Sequence, residues 1–269
     1  MKPIHHALVS ARLFGGDPMA TLPIHQMFDS SKGAVSDMRH RAALHSVDHG
    51  AAVMAMAFPG QIMTGGPLDA QGGVRLYDIC EQHVLDDQGQ RATLDDWLLA
   101  CEAPAFVTDA SAANSPRQDA RLKRAVWRDD PLSACLQTWG GTPEDYSPVL
   151  AYYALPEKFS DHPLAPAVSR NAFAIMLSDQ IFGPALRVTG KRGKPIFVPT
   201  RDIGEEIALA AWGMIPNLAD VFRHMRKRDW MMGSKVSRSN ERRKRIAGRQ
   251  DLFDPDMEGI AAANPAAAS

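Results

Sequence analysis

Ala11-Arg12-Leu13-Phe14-Gly15-Gly16-Asp17-Pro18 returns 125 positions later as Leu136-Gln137-Thr138-Trp139-Gly140-Gly141-Thr142-Pro143. An aromatic residue, two glycines and a proline two places on form a turn signature, and its recurrence sets a register between two halves of the chain. After a one-residue deletion the offset becomes 124 and continues from Asp37 to about Leu99. On it Asp37 meets Asp161, Phe58 meets Phe182, Gly66 meets Gly190 and Val74 meets Val198. Asp78-Ile79-x-Glu81 meets Asp202-Ile203-x-Glu205, and Gly89, Leu94 and Asp96 meet Gly213, Leu218 and Asp220. These identities sit at turns and helix ends, where backbone geometry selects residue type. The sequence therefore predicts a tandem duplicated domain, mainly α, with a small antiparallel β-hairpin in each unit.

Outward from that turn, each unit reads as a helix before Phe14, a second around Leu22–Phe28, and a long helix from about Ala34 to Phe58. A hairpin follows, with strands Gln61–Thr64 and Val74–Tyr77 in the first copy, and Leu186–Thr189 and Ile196–Val198 in the second. Two short helices close the unit, the last starting at Thr93 with Asp96 as its capping partner. The expected organisation is a histidine-rich first repeat over 1–101, a linker over 102–129, a diverged second repeat over 130–232, and a basic, low-complexity tail over 233–269.

Composition limits the function classes. The 269 residues are 45% hydrophobic and carry 30 basic against 31 acidic side chains, a net charge of −1, which excludes overall disorder. No apolar run is long enough to span a bilayer, and the start lacks a signal-peptide pattern, so a cytoplasmic protein without membrane partners is expected. Cys80, Cys101 and Cys135 are too few and too scattered for a disulfide framework or a thiolate zinc site.

Histidine is the uneven element. His5, His6, His25, His40, His45, His49 and His83 fall in the first copy, and only His162 and His224 come later. At the equivalent second-copy positions His6 becomes Pro131, His25 Leu150, His40 Leu164, His45 Ser169, His49 Phe173 and His83 Ile207. Asp87 becomes Ala211 and Arg41 becomes Ala165. A scaffold that accepts apolar or small residues at these places has no structural need of the histidines. Along a continuous helix Asp37, His40, Arg41, Leu44, His45 and Asp48 share one face, and His83 and Asp87 lie one turn apart. Neutral imidazole with carboxylate suits a divalent transition metal such as zinc, or a general acid/base pair. The candidate metal ligands are His6, His40, His83 and Asp87, with His25, Asp37, Arg41 and His45 around them, supporting those ligands or contacting a substrate.

Glu81-Gln82-His83-Val84, followed by Asp87, Gly89, Thr93, Asp96 and Trp97, resembles an uncharacterised family of small bacterial and phage proteins, a domain of unknown function. His5-His6-Ala7, Ile24-His25, Phe28-Asp29-x-Ser31-Lys32 and Asp37-x-Arg39-His40-Arg41-Ala42 belong to the same pattern. The resemblance covers about the first hundred residues. Ala92 stands where the pattern has proline, a departure that touches only a turn. It implies that the first copy is the family unit, with His6, His25, His40, His83 and Asp87 as carried-over positions, in a phage or prophage setting.

Two functions follow as expectations. One is a metal or acid/base site in the first repeat, with hydrolysis by a metal-activated water as its chemistry and a degenerate second repeat. The other is a non-catalytic structural or adaptor protein of the virion type, using the duplicated fold and basic tail to meet an assembly partner. Arg242, Arg243, Lys244 and Arg245 in that tail suit partner or nonspecific nucleic-acid contact.

Overall fold

A computed structural model describes residues 2–59, 75–108 and 125–232. By contact these form two units: 2–100 with 226–232, and 101–225. The candidate tail residues Arg242, Arg243, Lys244 and Arg245 lie outside the described residues.

In unit 1, α1 (Pro3–Phe14) and α2 (Pro18–Asp29) are joined by Gly15 and Gly16, at φ 85° and 79°. Only glycine holds that left-handed pair without strain. Asp17 caps α2 by accepting the Met19 N–H, and Pro18 occupies the first helical position, where its missing donor costs nothing. Next come α3 (Arg41–Leu44), α4 (His49–Ala57), α5 (Leu76–Gln88) and α6 (Leu94–Leu98). The Thr93–Asp96 capping box forms as expected, and α6 buries Leu94, Trp97 and Leu98.

The expected long helix from Ala34 to Phe58 does not form. Short 3-10 turns at Ser30–Gly33 and Met38–His40 precede α3, and the chain leaves helical geometry at His45, with φ −85° and ψ 58°. Two distant donors satisfy the carbonyl that the break frees. Gln88 Nε2 and Trp97 Nε1 reach the His45 carbonyl at 2.8 and 2.9 Å. Asp48 then restarts the helix by accepting the His49 N–H. The turn is so tight that a Cβ on Gly50 would lie 1.8 Å from the Leu44 carbonyl oxygen.

The first-copy hairpin falls mostly outside the described residues, but its second strand cannot run to Tyr77. Asp78 Oδ2 accepts the Arg75 N–H at 3.1 Å and starts α5 at Leu76, so this closing helix has 13 residues and is not short.

Unit 2 repeats the order. Helices α8 (Pro131–Trp139) and α9 (Pro143–Tyr153) are joined by Gly140 and Gly141, at φ 88° and 90°. Then come α10 (Ala165–Ser169) and α11 (Ala172–Phe182), the antiparallel strands β1 (Ala185–Thr189) and β2 (Pro195–Pro199), α12 (Thr200–Trp212) and α13 (Leu218–Val221). Gly89 and Gly213 end the paired helices α5 and α12 at φ 79° and 70°. The second-copy hairpin thus forms where the sequence placed it.

Within the stretch read as a linker the described residues include α7 (Ala105–Thr108), which packs Phe106 on Trp212 in unit 2. Residues 226–232, the end of the stretch read as the second repeat, instead pack in unit 1, where Trp230 meets Trp97 and Met231 is fully buried.

Candidate functional site

Three helices of unit 1 turn pairs of polar residues inward at one-turn spacing: His6 and Ser10 on α1, His25 and Asp29 on α2, and His83 and Asp87 on α5. His45 is added by the break between α3 and α4. Without that break its ring would follow the helical spiral instead of entering this cluster. All seven side chains are buried.

Asp29, His45, His83 and Asp87 form the centre. Each offers one donor atom, and the four atoms lie within 4.8 Å of one another. Nε2 of His45 is 3.2 Å from Nε2 of His83, 3.4 Å from Asp87 Oδ2 and 3.5 Å from Asp29 Oδ1. Nε2 of His83 is 3.9 Å from Asp29 Oδ1. One imidazole proton cannot serve three acceptors at once. Ligands about 2.0–2.2 Å from a tetrahedral metal stand about 3.3–3.6 Å apart along each edge, and these separations fall on or near that value.

The protonation states also fit. Burial, then the nearby His45, His6 and His25 rings, hold His83 well below its ordinary value, leaving it neutral near pH 7. Burial lowers His25 to about 3 and His40 to about 4. Burial alone would raise Asp29, but hydrogen bonds from His45 and Lys32 outweigh it and hold the carboxyl below its usual range. Asp87 shows the same contest: hydrogen bonds from His45 and His6 and the charge of Arg41 overcome burial. A neutral His83 and ionised carboxylates are forms a divalent ion binds.

Around the centre, Arg41 Nη2 lies 3.2 Å from Asp87 Oδ2, while its Nη1 donates to the carbonyls of Asp87 and Met231 at 3.2 and 3.0 Å. Lys32 Nζ pairs with Asp29 at 2.6 Å. Phe28 stacks on the His83 ring with centroids 4.6 Å apart, fixing the plane of that imidazole.

Of the four ligands expected from sequence, His83 and Asp87 stand in the central group. His6 stands behind it, with Nε2 3.2 Å from Asp87 Oδ1 and its ring 4.0 Å from that of His83. His40 donates Nδ1–H to the Asp37 carbonyl at 2.5 Å and lies beside His45, outside the group. His25 contacts His83, Arg41 holds Asp87, and His45 moves from the surroundings to the centre. Asp37 is not part of the site. Its half-exposed carboxylate pairs with Arg39, because the helix expected to carry it inward is broken.

Asp29 belongs to the central group but is not among the candidates expected from the sequence. The available signal was its place one turn after His25, together with its loss as Ala154 in the second repeat. All four central residues are replaced there: Ala154, Ser169, Ile207 and Ala211.

A family model described as Domain of unknown function (DUF6915) matches residues 1–107 and again 132–231. No curated protein and no solved structure matches the chain. Among the described residues no helix is long and apolar enough to cross a membrane.

Proposed function

The chain belongs to the family described as Domain of unknown function (DUF6915), matched once in each repeat, and on that premise we propose that its first repeat is a divalent-metal-binding domain. The ion, of the zinc class, is held by Asp29, His45, His83 and Asp87, and the second repeat is its metal-free counterpart. The observation that carries this reading is the packing of four buried donor atoms within 4.8 Å of one another.

Charge supports it as well. Asp29 and Asp87 are buried carboxylates; Lys32 pairs with the first and Arg41 with the second. Carboxylates brought together in a low-dielectric interior repel strongly unless a cation stands between them.

Two nitrogens and two oxygens suit zinc, cobalt or manganese better than a thiolate-seeking ion. Four protein donors also complete a tetrahedral shell, the arrangement typical of an ion that organises its surroundings. Hydrolysis is the finer form of this reading. It requires Asp29, tied to the part-exposed Lys32, to swing off the ion and admit a water whose pKa the metal would lower.

The test is elemental analysis and cobalt absorption of the full-length protein. One ion per chain, with tetrahedral cobalt bands that disappear in His83→Gln, is the expected result. No ion, or two ions of which His83→Gln removes neither, overturns the assignment. Turnover of a generic phosphoester or amide by the zinc form, lost in Asp87→Asn, is what the hydrolytic form predicts.

A further inference from the structure

His83 meets the central group with Nε2, and its Nδ1 lies 2.9 Å from Nδ1 of His25. From His25 a file of contacts continues. Nε2 of His25 is 2.9 Å from Ser10 Oγ, Ser10 donates to Gln82 Oε1 at 2.5 Å, and Gln82 Nε2 donates to Asp86 Oδ2. His6 Nδ1 closes on the same oxygen at 3.3 Å. Nothing in the metal reading uses Ser10, Gln82 or Asp86, yet all three are buried.

The direction of every hydrogen bond in this file follows from its far end. A carboxylate oxygen only accepts, so Asp86 turns the Gln82 amide with its NH2 toward itself and its oxygen toward Ser10. The Ser10 proton then goes to that oxygen, and Ser10 accepts from Nε2–H of His25. A neutral His25 donating from Nε2 has a bare Nδ1, which accepts from Nδ1–H of His83. His83 is left with its lone pair on Nε2, facing His45, Asp29 and Asp87.

We infer that Asp86, acting through Gln82, Ser10 and His25, is a positioning residue that fixes His83 in the tautomer able to bind a metal through Nε2. This rests on the metal reading only for its purpose; the tautomer itself is a property of the metal-free chain. The second repeat loses the file along with the ligands: Ser10 becomes Cys135, His25 Leu150, Gln82 Glu206 and Asp86 Ala210. A hydrogen-bonded file kept merely for packing would have no reason to vanish together with the central group. Outer partners of this kind hold metal-binding imidazoles in one tautomer and tune affinity.

The experiment is long-range proton–nitrogen NMR of the imidazoles in full-length, metal-free, 15N-labelled protein. A single tautomer for each ring is expected, Nδ1–H for His83 and Nε2–H for His25. Ser10→Ala removes the acceptor from His25, so both rings become tautomer mixtures, and affinity for added cobalt falls by about 10–100-fold. Nε2–H on His83 in the unaltered protein overturns the inference, and so do unchanged rings and affinity in Ser10→Ala. The spectrum of the unaltered protein decides even if the variant folds poorly. The expected tautomers together with no cobalt band uphold the hydrogen-bond assignment and overturn the metal reading alone.

Discussion

Replacing Asp29 with Asn separates a metal site from a self-sufficient ion-pair cluster, because the two readings give opposite signs. Asn keeps the shape and one oxygen but removes a charge that faces His45 Nε2 at 3.5 Å and Lys32 at 2.6 Å. Without metal, the loss is the pairing with a part-exposed lysine, about 0–1 kcal/mol, while the Asn oxygen can still accept from His45. Relief of repulsion between Asp29 and Asp87 offsets it, so the melting temperature in chelator should hold or rise. With zinc at a hundred times Kd, the unaltered protein gains about 2.7 kcal/mol by mass action. For a unit of this size that is about 11–22 °C, taking about 4–8 °C per kcal/mol. Losing one charged ligand should weaken binding at least as much as losing an outer partner, whose upper figure is about 100-fold. At the same zinc concentration the gain then shrinks to about 0.4 kcal/mol, or about 2–3 °C. Calorimetry with chelator and with zinc gives all four values. A variant that melts well below the original in chelator, with no response to zinc in either protein, refutes the reasoning and leaves a buried salt-bridge cluster.

Trp97 is fully buried and donates its indole N–H to the His45 carbonyl. Trp97→Phe should therefore cost about 1–3 kcal/mol through the unpaired carbonyl, and loosen zinc binding by freeing the His45 turn; denaturant unfolding and zinc titration check the two effects. Gly50→Ala places a Cβ 1.8 Å from the Leu44 oxygen, so the turn must open. The expected loss of zinc affinity would be contradicted by a variant binding as tightly as the original. Cys101 and Cys135 are buried and pushed up to about 12 by that burial, and the Cys80 thiol is raised further. Ellman's reagent near pH 8 should report no free thiol in the native protein and three after denaturation; fast reaction of any native thiol would contradict that burial.

What could be read from sequence was whatever depended on neighbours in the chain. The Gly-Gly turns announce themselves, since only glycine takes the positive φ found at Gly15, Gly16, Gly140 and Gly141. The capping box at Thr93 and Asp96 and the second-copy hairpin are equally local. The break at His45 is not. Its two donors, Gln88 and Trp97, lie 43 and 52 residues away, and no periodicity in 34–58 reveals that they will capture that carbonyl. The error then spread to the site. A continuous helix carried Asp37 inward and left His45 as one member of a face, whereas the broken one exposes Asp37 and delivers His45 to the centre. Asp29 stands opposite Ala154 in the second repeat, so its signal in the sequence is the loss of a charged residue and not of a histidine.

The second repeat bears directly on why the buried polar cluster exists. Its chain also leaves the helix, one residue later: Arg170 has φ −107° and ψ 54°, and Ser169, where the first repeat has His45, donates to the Tyr153 carbonyl at 2.6 Å. Tyr153 occupies the place of Phe28 and Ile207 that of His83, both buried, and their unit keeps the same helix order. The break and the helices around it therefore stand without the four central side chains. In the first repeat His6, His25, His40, His45, His49 and His83 are buried together with Asp29, Asp86 and Asp87. Each such group costs free energy to desolvate, and an apolar replacement of similar volume is often neutral or stabilising. A fold that has such a replacement in its own second half does not need these groups for folding. On the proposed reading their retention in the first half is accounted for by a divalent ion, which the spacing of Asp29, His45, His83 and Asp87 could hold.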